Sequence, residues 1–270
     1  MNAPDLVTGG TGFVGAHVVR ALLARGRAVR CLVRPGRALG TLGSLPVEIA
    51  RGDLRDPASL ARAAAGIDTL YHCAADYRLW SRDPRELYAA NVDGTENALR
   101  AAAEAGARRI VHTSSVATLA VRDDGHPATE SDAASEDAVI GHYKRSKVRA
   151  EKIALRHAAE GAPVVVVNPS TPVGELDAKP TPTGRIIVDF LAGRMPAYVD
   201  TGLNLVDVRD VAAGHLLAAE RGRPGERYIL GNRDMTLKEI FDVLARISGV
   251  PAPKVRLPHW IPIAAAAVDT

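Results

Sequence analysis

Leu6-Val7-Thr8-Gly9-Gly10-Thr11-Gly12-Phe13-Val14-Gly15 is the stretch on which the fold turns. A short β-branched run enters a turn with glycines at 9, 12 and 15, and an apolar helical pattern opens at Phe13. Glycines at this spacing let a chain turn tightly, approach a pyrophosphate and pack a helix against the preceding strand. The start of that helix would offer free N–H groups and a favourable dipole to an anion. Gly9, Thr11, Gly12, Phe13, Val14 and Gly15 are therefore expected to cradle the phosphates of a dinucleotide.

Outward from this turn, β-branched runs alternate with Ala/Leu/Arg helical stretches. Strands are expected at Leu6–Thr8, Val29–Val33, Val47–Ala50, Thr69–Cys73, Arg109–Thr113 and Val164–Val167, with helices near 13–25, 57–65, 84–105 and 140–160. Nearly all-apolar strands in such alternation imply a parallel sheet covered on both faces. Asp56-Pro57 and Asp83-Pro84 each place an N-cap before a first-turn proline, and Gly26 and Gly106 each follow a helical stretch as C-cap glycines do. The expected fold class is α/β, a Rossmann-type doubly wound parallel sheet with a small C-terminal substrate-binding lobe. The dinucleotide-binding domain would span 1–167; residues 168–270 would form mostly the lobe, with late elements returning to the core. Residues 168–183, with Pro169, Pro172, Pro180 and Pro182, read as a loop at the sheet's carboxyl edge. A capping box is expected at Thr236–Glu239.

Ligands of open parallel sheets bind at that carboxyl edge. Val33-Arg34-Pro35 ends the second strand where an acid would hold the ribose diol of NAD. Arg34 suits the 2′-phosphate of NADP instead, so NADP(H) is favoured over NAD(H). Asp53, beside Leu54, could meet the adenine amino group or cap a turn. Cys73, Ala74 and Ala75 are small enough for the chain to pass close to the cofactor. Thr113, Ser114 and Ser115 end the fifth strand, where a hydroxyl can bond a substrate oxygen as charge develops. Tyr143 and Lys147 sit one turn apart on a helix, where the ammonium would lower the tyrosine pKa and reach the ribose. Asn168 and Pro169 end the sixth strand, and the backbone that follows, with Ser170 and Thr171, is expected to meet the nicotinamide. On the substrate side, Asp76, Tyr77, Arg78 and Trp80 follow the fourth strand. The two aromatic rings could stack on a sugar or apolar face and Arg78 could bind an anion, while Trp80 could equally pack beneath the loop. Lys179 and Arg185 flank the proline loop and could grip a phosphate or simply be solvated.

Gly9 to Gly15, Gly52-Asp53-Leu54, Asn91-Val92-Asp93-Gly94-Thr95, Thr113-Ser114-Ser115 and Tyr143-x-x-x-Lys147 together resemble the extended short-chain dehydrogenases, the NAD(P)-dependent epimerase/dehydratase group. The resemblance covers nearly the whole chain. It implies that Tyr143 is the general acid/base, Lys147 its assistant and Ser115 the group that orients the substrate oxygen. It also implies a homodimer through the helices at 84–105 and 140–160. Residues 75–80, Asn168–Gly174, Lys179–Arg185 and Asp200–Val206 look like the hopanoid-associated sugar epimerase subgroup, itself similar to dihydroflavonol-4-reductase-like proteins. Two outcomes share this machinery: a reductase that exchanges its cofactor, slightly favoured by Arg34, and an epimerase or dehydratase that retains it. A module that senses NADP without turning it over would lack the tyrosine.

Composition narrows the classes further. The chain has 270 residues, a formal charge of +3 and 47% hydrophobic residues, ordinary for a globular protein. No Lys/Arg run is dense enough for a nucleic-acid footprint. Cys31 and Cys73 read as core residues in a cytoplasmic protein. No signal peptide or transmembrane segment is expected, because the first strand begins at Asp5 and the Trp260–Val268 apolar run is short. A helix is expected to continue past Thr270. None of the histidines has metal-ligand spacing, so no metal is expected. The expected partner is a small-molecule substrate.

Overall fold

The computed structural model describes residues 3–78, 83–258 and 260. Trp80 and the expected C-terminal helix lie outside the described residues. In chain order the elements are β1 (Asp5–Thr8), α1 (Phe13–Ala24), β2 (Val29–Val33), β3 (Glu48–Arg51), α2 (Pro57–Ala64), β4 (Thr69–His72), α3 (Pro84–Tyr88), α4 (Gly94–Glu104) and β5 (Arg109–Thr113). These are followed by α5 (His142–Ala159), β6 (Val164–Pro169), β7 (Thr171–Val173), α6 (Pro182–Leu191), β8 (Ala197–Val199) and β9 (Gly202–Asp207). The chain then forms α7 (Val208–Arg221), β10 (Arg227–Leu230), β11 (Arg233–Thr236), α8 (Leu237–Ser248) and β12 (Val255–Leu257).

The chain folds as two compact units. The first holds everything up to Ser170 and then Val208–Leu230; the second holds Thr171–Asp207 and the chain from Gly231 onward. The first is a seven-stranded sheet in the order β10-β6-β5-β4-β1-β2-β3, parallel throughout. Successive strand residues point to opposite faces, and both faces here are apolar. Leu6, Leu70, Ile110, Val164 and Val166 pack with α2, α4 and α5, whereas Val7, Tyr71, Val111, Val165 and Val167 pack with α1 and α7. Burial of each such side chain contributes about 1.5–3 kcal/mol. Asp56 and Asp83 accept from Ala58 N and Arg85 N and so cap α2 and α3, each ahead of a first-turn proline.

Two segments differ from the sequence expectation. The helix expected over 84–105 is interrupted by a π turn at Ala89–Asp93. There the Asn91 amide clasps the Asp76 backbone, with Oδ1 2.7 Å from Asp76 N and Nδ2 2.8 Å from Asp76 O. Such turns insert one extra residue and re-aim the side chains around them. The second difference is the loop expected over 168–183. Asn168 and Pro169 end β6 as their position after the valine run implies, but Thr171–Val173 form a further strand, β7, instead of loop. β7 pairs with β9, a partner more than thirty residues away whose pairing local proline content does not report.

The second unit has a three-stranded sheet, β11-β9-β7, and a pair β12-β8. Its core is Phe190 stacked on Phe241 at 5.5 Å with Tyr198 edge-on, under Leu237 and Ile240. Thr236 and Glu239 form the expected capping box at α8.

Candidate active site

Thr8 runs directly into the glycine turn, and the backbone there tolerates almost nothing else. Gly9 has φ +74°, and a Cβ on it would fall 2.7 Å from Ala74 N. A Cβ on Gly15 would fall 2.3 Å from Gly9 O. Gly12 differs: a Cβ there meets only Gly9 O at 3.2 Å, and Thr11 and Gly12 face solvent. Gly12 is the N-cap of α1 without a side-chain cap, so the first N–H groups of the helix stay available to an anion. Two of the glycines are thus required by packing, and the third keeps the approach to the helix end clear. The turn fits a dinucleotide pyrophosphate.

Along the carboxyl edge, Arg34 and Arg37 are exposed after β2. Arg51, at the end of β3, donates to the carbonyls of Arg34 at 3.3 Å and Arg37 at 3.1 Å. Asp53 is engaged by Arg55, whose Nε and outer nitrogen donate to it at 3.0 and 2.8 Å while the Arg55 backbone N–H donates at 2.9 Å. Those bonds hold its carboxyl down at about 2. Asp53 thus closes a turn on Arg55, and Leu54 packs beside it against the core.

Ser115 caps a short turn over Val116–Thr118, its Oγ accepting from Ala117 N at 3.1 Å. The Ser115 proton therefore points away from its own turn. Lys147 is buried on α5, and its Nζ donates to Thr113 O at 2.8 Å. Burial lowers the lysine to about 8, with Glu151 pulling it back up. Tyr143 departs from the sequence expectation. Burial raises its pKa, a hydrogen bond with Ser115 opposes the rise, and Lys147 is not among the causes. The physical reason is that the ammonium is held on the Thr113 carbonyl while the phenol sits in a low-dielectric site. Ser115, Tyr143 and Lys147 are therefore brought together at the end of β5 and the start of α5, with the phenol kept protonated. Ser114 is buried with an unpartnered hydroxyl, as is the Ser170 hydroxyl, two polar atoms aimed at nothing among the described residues.

Cys73 and Ala74 pass against the glycine turn, with Ala75 exposed after them. Burial raises the Cys73 thiol to about 11, and both cysteines are free. The Arg78 guanidinium bonds Asp76 at 2.6 Å and Glu86 at 3.3 Å. Tyr77 is exposed beside them. Lys179 and Arg185 are exposed and belong to the second unit with Thr171.

Four features carried no separate signal in the sequence. Asn91, besides clasping Asp76, donates to Ser146 Oγ at 2.9 Å, tying the loop after β4 to α5. Glu151 is a buried carboxylate one turn beyond Lys147. Its position at i+4 was visible; its burial was not. His72 and His112 are buried and stacked at 5.5 Å. His72 lies 2.8 Å from Thr8 Oγ1 and 3.1 Å from Thr95 Oγ1, while His112 has no partner for either nitrogen. His215 accepts from the Thr113 hydroxyl at 2.9 Å, since its other nitrogen donates to Val211 O. Among the described residues no group of three or more His, Cys, Asp or Glu is placed to hold a metal ion, and no helix is long and apolar enough to cross a membrane.

The profile of the NAD dependent epimerase/dehydratase family matches residues 6–231. A dihydroflavonol 4-reductase-like protein of Synechocystis sp. is 51% identical over 97% of this chain and 78% of its own length. The crystal structure of gox2253 superimposes with a TM-score of 0.93 at 51% identity, over 99% of this chain and 82% of that one. The dTDP-glucose 4,6-dehydratase DesIV of Streptomyces venezuelae, solved with NAD and TYD bound, gives a TM-score of 0.82 at 26% identity, over 94% and 84%. With this sheet and these residues at its carboxyl edge, the chain belongs to the NAD dependent epimerase/dehydratase family, and is an NAD(P)-dependent oxidoreductase or epimerase of the extended short-chain dehydrogenase/reductase type.

Proposed function

We propose that this enzyme is an NADP(H)-dependent reductase of a ketone or aldehyde on a small substrate. The observation that carries the reading is the meeting of Ser115, Tyr143 and Lys147 at one end of the sheet, with a tyrosine that burial keeps protonated. A protonated phenol is the form needed to give a proton to a carbonyl oxygen. When bound, the nicotinamide supplies the hydride. Tyr143 Oη then donates its proton to the substrate oxygen, while the Ser115 hydroxyl donates a hydrogen bond to the same oxygen and orients it. Lys147, one helical turn from Tyr143, is anchored on the Thr113 carbonyl at the end of β5. Its remaining N–H donors are available to the ribose hydroxyls.

The glycine turn with the α1 N-terminus would hold the pyrophosphate. Cys73, Ala74 and Ala75 would flank the cofactor, and Asn168, Pro169, Ser170 and Thr171 would form its far wall. Arg34, braced with Arg37 by Arg51, supports the choice of NADP(H) over NAD(H), since β2 ends on a cation where an acid would hold the ribose diol. Tyr77 is the substrate-side group with exposed aromatic surface. A homodimer through the 84–105 and 140–160 helices and a cytoplasmic location belong to the same reading. The second reading is an epimerase or dehydratase with retained cofactor, favoured by the likeness to a dTDP-glucose 4,6-dehydratase.

Denaturing the purified protein and identifying any released nucleotide by mass spectrometry separates the two. An empty protein that binds added NADPH and reduces phenanthrenequinone supports the reductase. Stoichiometric NAD or NADP carried through purification overturns it in favour of the second reading. Tyr143→Phe is expected to cut turnover by roughly a hundredfold or more with cofactor binding intact. Near-normal turnover would remove Tyr143 from the chemistry.

A further inference from the structure

Tyr143 stands in the first turn of a helix whose start is poorly supported by its own sequence. α2, α3, α6 and α8 each begin under a capping side chain, from Asp56, Asp83, Thr181 and Thr236. α5, with 18 residues the longest of the described helices, begins on Gly141 at φ +91° with no side-chain cap. Its first turn holds no acid, and Lys144 and Arg145 bring positive charge to the positive end of the helix dipole. The Arg145 N–H opens the helical ladder, donating to Gly141 O at 3.2 Å. A helix end of this kind frays unless something outside it holds it.

Tyr88, the last residue of α3, lies against that end. Its ring meets the His142 ring edge-on, with centroids 5.9 Å apart at 84°, and Oη lies 3.3 Å from His142 Nδ1. The Arg149 guanidinium stands over the same tyrosine ring, 5.0 Å from its centroid. Edge-on rings and a cation over a ring face are both attractive arrangements. His142 and Arg149 are seven residues apart, two helical turns along one face, so a single ring grips α5 across both turns. Arg149 is fixed in its turn: Nε donates to Glu136 at 2.6 Å, and Glu136 also pairs with Lys152 at 3.6 Å.

We propose that Tyr88 is a positioning residue: its ring holds the uncapped first turn of α5, and so keeps the Tyr143 phenol beside Ser115. This rests on the role given to Tyr143 under the proposed function. Asn91 ties down Ser146 at the end of that turn, and Tyr88 ties down its beginning. Ser146 in turn donates to the Tyr143 carbonyl at 2.7 Å, so the peptide of Tyr143 lies between the two ties. Seating α3 does not account for Tyr88, since Leu87 is the side chain that α3 buries.

The test is hydrogen exchange of the full chain, read residue by residue by NMR, in Tyr88→Leu. The amides of Arg145, Ser146 and Lys147 are expected to exchange about tenfold faster than in the parent, while those of Ala150 to His157 keep the parental rate. The kcat for phenanthrenequinone reduction should fall about tenfold with NADPH affinity unchanged. Tyr88→Phe, which keeps the ring under Arg149, should restore most of both. Parental exchange at 145–147, a rise that runs evenly along α5, or parental kcat despite faster exchange overturns the proposal. So does a rise that accompanies a change of oligomeric state in light scattering, because the ring would then serve a subunit contact. If Tyr88→Leu does not fold, His142→Ala takes its place, at a position that is exposed. Alanine is the better helix former, so faster exchange at 145–147 in that variant reports the lost ring contact, and parental exchange overturns the proposal. The exchange readout needs no turnover, so failure of the Tyr143 assignment would show separately, as near-normal turnover in Tyr143→Phe.

Discussion

Replacing Gly9 and Gly12 in turn by alanine separates what the glycine turn does for the fold from what it does for a ligand. In Gly9→Ala a side chain must adopt φ +74°, which costs about 1–2 kcal/mol. Its Cβ would also press on Ala74 N at 2.7 Å and Cys73 C at 2.8 Å. Both are backbone atoms that cannot swing aside, and overpacking of this kind costs about 1–3 kcal/mol. Together these come to about 2–5 kcal/mol, or roughly 5–15 °C in melting temperature for a unit of this size. Gly12 sits at φ −94°, and its added Cβ would meet only Gly9 O at 3.2 Å. Gly12→Ala should cost under about 1 kcal/mol, close to the value of the lost N-cap preference. That methyl stands where the pyrophosphate would approach, so NADPH affinity, read by fluorescence titration, should weaken about tenfold or more, a loss of about 1.4 kcal/mol or more in binding. Thermal melting and NADPH titration of both variants give the comparison. Equal melting temperatures for the two variants, or parental affinity in Gly12→Ala, would refute the reasoning.

Further outcomes follow from the carboxyl edge and the buried histidines. Arg34→Asp should reverse the ratio of NADPH to NADH affinities, measured side by side by fluorescence titration, and an unchanged ratio would remove Arg34 from cofactor choice. His72, His112 and His215 are neutral in the fold because burial pushes their pKa values down, to about 3 for His72 and about 4 for His215. The unfolded chain binds those protons below about pH 6.5, so this contribution to stability is complete above that pH and lost as pH falls toward the folded values. The slope is about 1.4 kcal/mol per pH unit for each ring. Urea midpoints should therefore drop steeply between about pH 6.5 and pH 4. His112→Leu removes two unpartnered ring nitrogens. It should leave the neutral-pH midpoint equal or higher and make the acid loss shallower, whereas a parental slope would show that His112 is not one of the groups titrating.

The parts of the fold that were legible in the sequence are those that local rules dictate. The glycine turn, the all-apolar β6 run and the Asp-Pro caps each announce an element within a few residues. The π turn did not announce itself, because it depends on the Asn91 amide meeting the backbone of Asp76, fifteen residues earlier. β10 was equally silent: Arg227–Leu230 is only half-buried and becomes a strand by pairing with β6, some sixty residues away. At the site, Ser115, Tyr143 and Lys147 could be found from their spacing. The commitment of Arg78 to Asp76 and Glu86 could not, since spacing does not say whether a surface guanidinium is already satisfied. The direction of the Tyr143 shift also needed three dimensions. The i, i+4 lysine suggested a lowered pKa, and burial of the phenol reverses it.

The connectivity of the two units bears on how the molecule is made. The chain passes out of the first unit after Ser170, comes back for Val208–Leu230 and departs again. A nascent chain that has emerged only as far as β6 therefore has a sheet with an unfilled edge and no α7 over one face. It also carries Glu151 without Arg227, its ion-pair partner, until some sixty more residues have been synthesised. The first unit cannot close before much of the second has left the ribosome, so the two must mature together rather than one after the other. Truncation after Ser170 should accordingly yield a sticky, chaperone-bound product instead of a free-standing nucleotide-binding module.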